Sequence, residues 1–183
     1  MKKILLLLCA FQFFATINYA QLQLVNLLTE NRIEPEGIDN ANPRLTWQLK
    51  SSERNVLQTA YEIRVSDDLR ALKTGRNLSW QTNKIQSEQS VHISYSGKPL
   101  NAGTKYYWQV RVWDNHGNLS KWSEPAFWIM GMLKPGNWSA QWIQPGYTET
   151  ELRPSPMFRK EFQAKKVVQS AIAFVTARGL YEA

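Results

Sequence analysis

The chain has 183 residues, 43% apolar, 20% charged and 12% aromatic, with eight Trp, one Cys and a formal net charge of +7. That aromatic content excludes low-complexity disorder, and a single Cys excludes an intrachain disulfide scaffold. Thr, Val, Tyr, Trp, Gly and Pro fall in short clusters without long Ala/Leu/Glu/Lys periods, which argues against a helical bundle and for a β-rich fold.

Lys2 and Lys3 precede an apolar run from Ile4 to Phe14 that is broken only by Gln12, and Ala20 places a small residue before Gln21. Charge, length and cleavage-site chemistry predict a secretory signal peptide over residues 1–20. The run is shorter than the ~20 residues a spanning helix needs, and Leu8 occupies the place where a lipoprotein signal at Cys9 needs a small residue. Removal of this leader takes away Lys2, Lys3 and Cys9, so the charge falls by two to +5 and no cysteine is left. An exported chain of this kind suits a bacterial periplasm, cell surface or surrounding medium. Its positive charge is spread over many segments, which predicts solubility and no nucleic-acid partner.

From Leu22 to Met130 the apolar period is two. Leu45, Trp47 and Leu49 alternate with Thr46, Gln48 and Lys50; Tyr61, Ile63 and Val65 alternate with Glu62, Arg64 and Ser66. A candidate helix runs from an N-cap at Asp67 through Leu69 and Leu72 to Gly75. Val91, Ile93 and Tyr95 alternate with His92 and Ser94. Tyr106, Trp108, Val110 and Val112 alternate with Tyr107, Gln109, Arg111 and Trp113. Each set predicts one face in a core and one in solvent or at a domain contact. Asn42-Pro43, Ser51-Ser52, Ser96-Gly97-Lys98-Pro99 and Asn115-His116-Gly117-Asn118 supply the turns.

About seven short strands in roughly 110 residues is the pattern of an immunoglobulin-like sandwich. Leu100, Thr104 and Tyr106 ahead of an alternating strand resemble the start of strand F in fibronectin type III domains, although Ala102 stands where that fold usually has Pro. The resemblance implies that Tyr106 forms a tyrosine corner and that Trp47 is the core Trp. Trp122-Ser123 opens the last strand as it commonly does in that fold.

A Gly- and Pro-rich connector comes next, carrying Trp138 and Trp142. Met157–Phe162 and Ala171–Ala177 then read as two more strands joined by a basic turn at Lys165-Lys166. The second is apolar on both faces, as an interior strand would be. Two or three strands are too few for a stable unit, so the sequence is expected to stop inside a second domain. The expected division is a signal peptide over 1–20, a sandwich over 21–131, a connector over 132–150 and an incomplete second sandwich over 151–183.

The residue types of catalysis occur, but in turns. Glu34, Glu36 and Asp39 could supply paired carboxylates, yet a Gly/Pro turn with Asp39 capping local amides accounts for all of them. Asp114, His116 and Ser120 share one short loop, whereas a triad needs its base and oxyanion donors on separate elements. His92 has no second His or Cys nearby to make a metal site. No phosphate-binding glycine loop comes after a strand. The expectation is therefore no catalytic, cofactor-binding or metal residue. The sequons at Asn77, Asn118 and Asn137 mark surface turns. Trp113, Trp122, Trp128, Trp138 and Trp142 could stack on sugar rings or join the sandwich to its downstream neighbour, and the second is favoured because a connector has to dock.

Three stretches resemble one family. Pro35-Glu36-Gly37-Ile38-Asp39 followed by Asn42-Pro43-Arg44-Leu45-Thr46-Trp47 resembles the start of the N-terminal domain of bacterial α-L-rhamnosidases of glycoside hydrolase family 78. Tyr106 to Asp114 with Trp122-Ser123-Glu124-Pro125 resembles the far end of that domain. Trp138 to Ile143, Arg159-Lys160-Glu161-Phe162 and Ser170 to Glu182 resemble the lead-in and early strands of the family's next β-sandwich. The resemblance implies a non-catalytic, N-terminal part of a secreted enzyme that removes terminal α-L-rhamnose with inversion. The acids for that reaction would lie in a downstream (α/α)6 barrel, so no catalytic residue carries over to this chain. The implied partners are a rhamnose-containing glycan, reached through that barrel, and downstream domains of the same polypeptide. A self-standing carbohydrate- or protein-binding surface module is the rival expectation.

Overall fold

The structure is a computed structural model that describes residues 22–146, 155–168, 171–180 and 182. The predicted leader, residues 1–20, lies outside the described residues. Among the described residues, eight strands and one short α-helix occur in order: β1 Gln23–Thr29, β2 Arg44–Lys50, β3 Gln58–Ser66, α1 Leu69–Thr74, β4 Trp80–Gln81, β5 Ile85–Gln86, β6 Ile93–Ser94, β7 Lys105–Asp114 and β8 Ala126–Ile129. Two antiparallel sheets form the sandwich. One has the order β1-β2-β6; the other has β4-β3-β7-β8, with β5 also paired to β3. No helix among the described residues is long and apolar enough to cross a membrane.

The predicted alternation builds the core. Leu45 and Trp47 of β2, Ile63 and Val65 of β3, Trp108, Val110 and Val112 of β7 and Trp128 of β8 are fully buried in one cluster. Trp47 crosses between the sheets: its Nε1–H donates to Gln58 Oε1 at 2.9 Å, and its ring meets Tyr61 edge-on at 5.3 Å. Gln58 sits at a bulge in the β3–β7 ladder and donates onward to the carbonyls of Ser87 and Gln89. Burying an indole N–H and an amide together is tolerable only because each satisfies the other.

The tyrosine corner is present. Tyr106 Oη accepts from the Asn101 amide at 2.9 Å, and the ring stacks on Trp128 at 5.6 Å. The Pro35–Ile38 stretch straps the open side of β8. The Ile129 amide donates to the Pro35 carbonyl, the Ile38 amide to the Ile129 carbonyl, and the Gly131 amide to the Ile38 carbonyl. A Cβ at Gly131 would lie 3.1 Å from the Gly37 carbonyl oxygen, so any side chain there would have to push the strap back by a few tenths of an ångström.

Four expectations are corrected. The helix N-cap is Asp68, not Asp67: Ser66 Oγ accepts from the Asp68 amide, and Asp68 Oδ1 takes the Arg70 and Ala71 amides at 2.6 and 2.8 Å. The strand expected over Val91–Tyr95 shrinks to β6, because the His92 backbone is left-handed (φ 56°) and its amide donates to Thr46 Oγ1 instead of to a ladder carbonyl. The polar face of β3, expected in solvent or at a domain contact, is buried inside the sandwich domain itself, with Glu62, Arg64 and Ser66 at 5%, 9% and 0% exposure. Finally, neither Met157–Phe162 nor Ala171–Ala177 makes a ladder. A strand is held by its neighbour, and Met157 and Phe162 point into water at 94% and 86% exposure.

Candidate functional site

The predicted candidates do not converge. Glu34, Glu36 and Asp39 are all exposed along the strap and its two ends, with Glu34 at a left-handed φ of 45° and Gly37 at 78°. The local amide at Asn42 is capped by Asn40 Oδ1, not by Asp39. Asp114 is a turn-holder: Oδ1 accepts the His116 and Asn118 amides at 2.9 and 2.8 Å, and Oδ2 accepts Asn118 Nδ2 at 3.0 Å. Burial pushes its carboxyl up, but these bonds together hold it below the usual carboxylate range. His116 faces solvent, while Ser120 Oγ accepts the Val112 amide and donates to the Lys121 carbonyl. His92 meets Asn31 Oδ1 through Nε2 at 2.9 Å. Among the described residues, no group of three or more His, Cys, Asp or Glu side chains is placed to hold a metal ion. The sequon residues Asn77, Asn118 and Asn137 are exposed, as expected of surface turns.

The five Trp residues divide among three environments. Trp128 is core, with its Nε1–H directed at Met130 Sδ. Trp138 and Trp142 belong to the connector; Trp142 is 61% exposed, with the Arg178 guanidinium 5.0 Å from its ring centre. Trp113 and Trp122 stand on the outer face of the larger sheet, in a ladder that sequence reasoning missed.

That ladder arises from strand register. β3 and β7 pair Glu62 with Arg111 and Arg64 with Gln109, so all four side chains share the face turned away from the core. The segment after β7 folds back along it, the Ser120 amide donating to the Val112 carbonyl and the Ser123 amide to the Val110 carbonyl, which lays Trp122 over this face. Lys84 Nζ lies 4.6 Å from the Trp113 ring centre and the Arg111 guanidinium 5.6 Å from it. The Arg111 and Arg64 guanidiniums lie 4.6 and 4.1 Å from the Trp122 ring centre. Arg111 pairs with Glu62 at 2.6 Å, while Arg64 donates to Gln109 Oε1, whose amide donates to the Ser123 carbonyl. Burial, then repulsion from Arg111, lowers the Arg64 pKa, and Glu62 opposes this.

Chemically the ladder is a brace. Each outer Trp has two cations within 6 Å of its ring centre, which ties it to the sheet beneath. The buried carboxylates Glu62 and Asp114 are likewise committed to structural partners. The readable signal was the outward-facing Arg111 and Trp113 within β7, but their partners depend on the register with β3.

At the opposite side of the molecule, where β8 ends, a groove of about 470 Å³ is lined by Gly37, Gly131, Met132, Trp138 and residues 173–175.

The family described as the Rha78A-like, N-terminal immunoglobulin domain matches residues 24–134. The chain is 39% identical to an α-L-rhamnosidase of Streptomyces avermitilis, over 64% of this chain and 11% of that protein. It is 31% identical to an α-L-rhamnosidase of Formosa agariphila over 99% of this chain and 21% of the relative. The chain therefore spans only a small part of the curated relatives it matches. Its fold superimposes on the Streptomyces avermitilis α-L-rhamnosidase complexed with L-rhamnose with a TM-score of 0.64 at 37% identity, covering 67% of this chain and 12% of that one.

Proposed function

The chain belongs to the family of Rha78A-like N-terminal immunoglobulin domains, and from that membership we propose that it is the accessory, non-catalytic N-terminal region of an exported α-L-rhamnosidase. The observation that carries this reading is the extent of the match: 99% of this chain aligns with 21% of a relative named as an α-L-rhamnosidase. The whole protein would release terminal α-L-rhamnose from glycans or plant glycosides. One carboxylic acid would protonate the leaving oxygen and a second would activate water for inversion. Both acids would lie beyond this region, which agrees with the structural employment of Glu62 and Asp114 here. Residues 1–20 would direct export to the periplasm, the cell surface or the medium. The sandwich would serve the enzyme by packing on domains downstream of it.

The test is hydrolysis of an aryl α-L-rhamnoside. The 183-residue chain should release nothing, whereas a polypeptide extending through the downstream domains should turn the substrate over. Turnover by the 183-residue chain alone would overturn the reading. Saturable binding of a rhamnose-bearing glycan by the sandwich, with an extended polypeptide that stays inactive, would replace it with a binding module.

A further inference from the structure

We infer that the end of the sandwich where β8 finishes is a docking seat for residues 171–175, with Phe174 as the anchor that fixes how the chain leaves the domain. Three observations meet there. Among described residues 171–180, Phe174 alone is half-buried, while Ile172 and Val175 are 41% and 48% exposed. Its ring rests against Gly103: a Cβ built there would sit 3.6 Å from Phe174 Cζ and 3.7 Å from Cε2. The same residue lines the groove formed by Gly37, Gly131, Met132 and Trp138.

The seat is made of backbone. Gly37 belongs to the strap, Gly103 to the turn before β7 and Gly131 to the residue pair after β8, so three separate connections present glycine at one end. Hydrogen bonds hold them rigidly: the Gly131 amide donates to the Ile38 carbonyl and the Gly103 amide to the Met130 carbonyl. The bare backbone at Gly103 lets the Phe174 ring come close to the sandwich, and the ring forms one wall of the groove. Met132 and Trp138 wall it with apolar surface, and the pocket offers few polar side chains with which to recognise a sugar. Arg178 over Trp142 adds a second contact between the connector and the same tail. Because the anchor is tethered by the connector, one half-buried aromatic is enough to bias the docked state. The seat would then set the direction in which the chain runs on from the sandwich, and it does so whether or not the protein acts on rhamnose.

The test uses the full chain with trypsin, reading the rate of cleavage after Arg178, together with hydrogen exchange over residues 171–177. Phe174→Ala should accelerate cleavage roughly fivefold, the ratio expected from losing about half of a buried aromatic contact. Met132→Glu, which charges the wall of the seat from the sandwich side, should do the same. Phe162→Ala, an 86% exposed aromatic on the same tail, should change nothing. All three variants should keep the melting temperature of the sandwich. Failure of either seat variant to release the tail, or equal release by Phe162→Ala, would overturn the inference. Neither result bears on hydrolysis, so the proposed function stands or falls separately.

Discussion

Glu30 clasps Arg44 through both its side chain and its backbone: the carboxylate accepts Arg44 Nη2 at 2.6 Å, Nε at 3.0 Å and the Arg44 backbone amide at 2.7 Å. Glu30 holds a left-handed backbone (φ 49°) to do so, and Asn40 Nδ2 donates to the same carboxylate at 3.0 Å. The clasp closes the long β1–β2 connection at its root, where the strap toward β8 begins. The side-chain bond from Arg44 is the largest influence on this group and holds the Glu30 carboxyl below its ordinary value of 4.5, against the opposing effect of burial.

The pH dependence is set by that direction. A carboxyl with a lowered folded-state pKa binds its proton more readily in the unfolded chain, so its stabilisation is fully present above about pH 4.5 and is lost as pH falls through the folded value. Glu30→Gln should therefore lower the urea midpoint at neutral pH and flatten the acid limb of stability against pH. Asp114, lowered in the same sense, should keep part of the acid limb in the variant. Because Arg44 is partly exposed, the loss should shrink in high salt. Urea titrations from pH 3 to 7 measure it, and an acid limb unchanged by the substitution would contradict the assignment.

Tyr106→Phe isolates the corner hydrogen bond, since the ring stack on Trp128 survives the substitution. The expected cost is about 1 kcal/mol in denaturant unfolding, the usual net value of one such bond. The Asn101 side is solvent-accessible, so water can recover part of the loss.

Trp47→Phe should cost more, about 2–4 kcal/mol, because it combines a core cavity with an orphaned buried acceptor at Gln58 Oε1. Gln58 also tethers the Ser87 and Gln89 carbonyls. Loosening should therefore spread to the β5–β6 connection, where amide exchange should rise in the variant and not at α1.

What was legible in the sequence was whatever depends on near neighbours. The alternation of Tyr106, Trp108, Val110 and Val112 announces β7, and Leu100, Thr104 and Tyr106 announce the corner, because the bonds involved join residues a few positions apart. His92 misled the reading: its kink comes from the hydroxyl of Thr46 in another strand, and nothing around His92 encodes it. Arg64 and Trp122 could not be matched in advance, since their meeting requires both the β3–β7 register and the fold-back after β7. Met157–Phe162 and Ala171–Ala177 have strand-like patterns, but pattern alone does not supply a partner ladder. For the site, turn chemistry anticipates the hydrogen-bonded loop that Asp114 and Ser120 hold together, while the seat under Phe174 rests on glycines that carry no side-chain signal at all.

The outer-face brace predicts opposite results at its two central members. Trp122 shields two guanidiniums that lie close to one another, so Trp122→Ala removes two cation–π contacts and leaves the Arg64–Arg111 repulsion unscreened. The expected loss is about 1–3 kcal/mol, and Trp122→Phe should recover most of it. Arg64 is different: it is buried, its charged form is disfavoured there by burial and by Arg111, and the nearby carboxylate is held by Arg111. Arg64→Met keeps the packing over Trp122 while removing that penalty, so it should fall within about 1 kcal/mol of the parent despite the lost bond to Gln109. Urea unfolding of the three variants decides the matter. A large loss for Arg64→Met with a small one for Trp122→Ala would mean that the hydrogen bond to Gln109, and not the aromatic cover, holds this face of the sheet together.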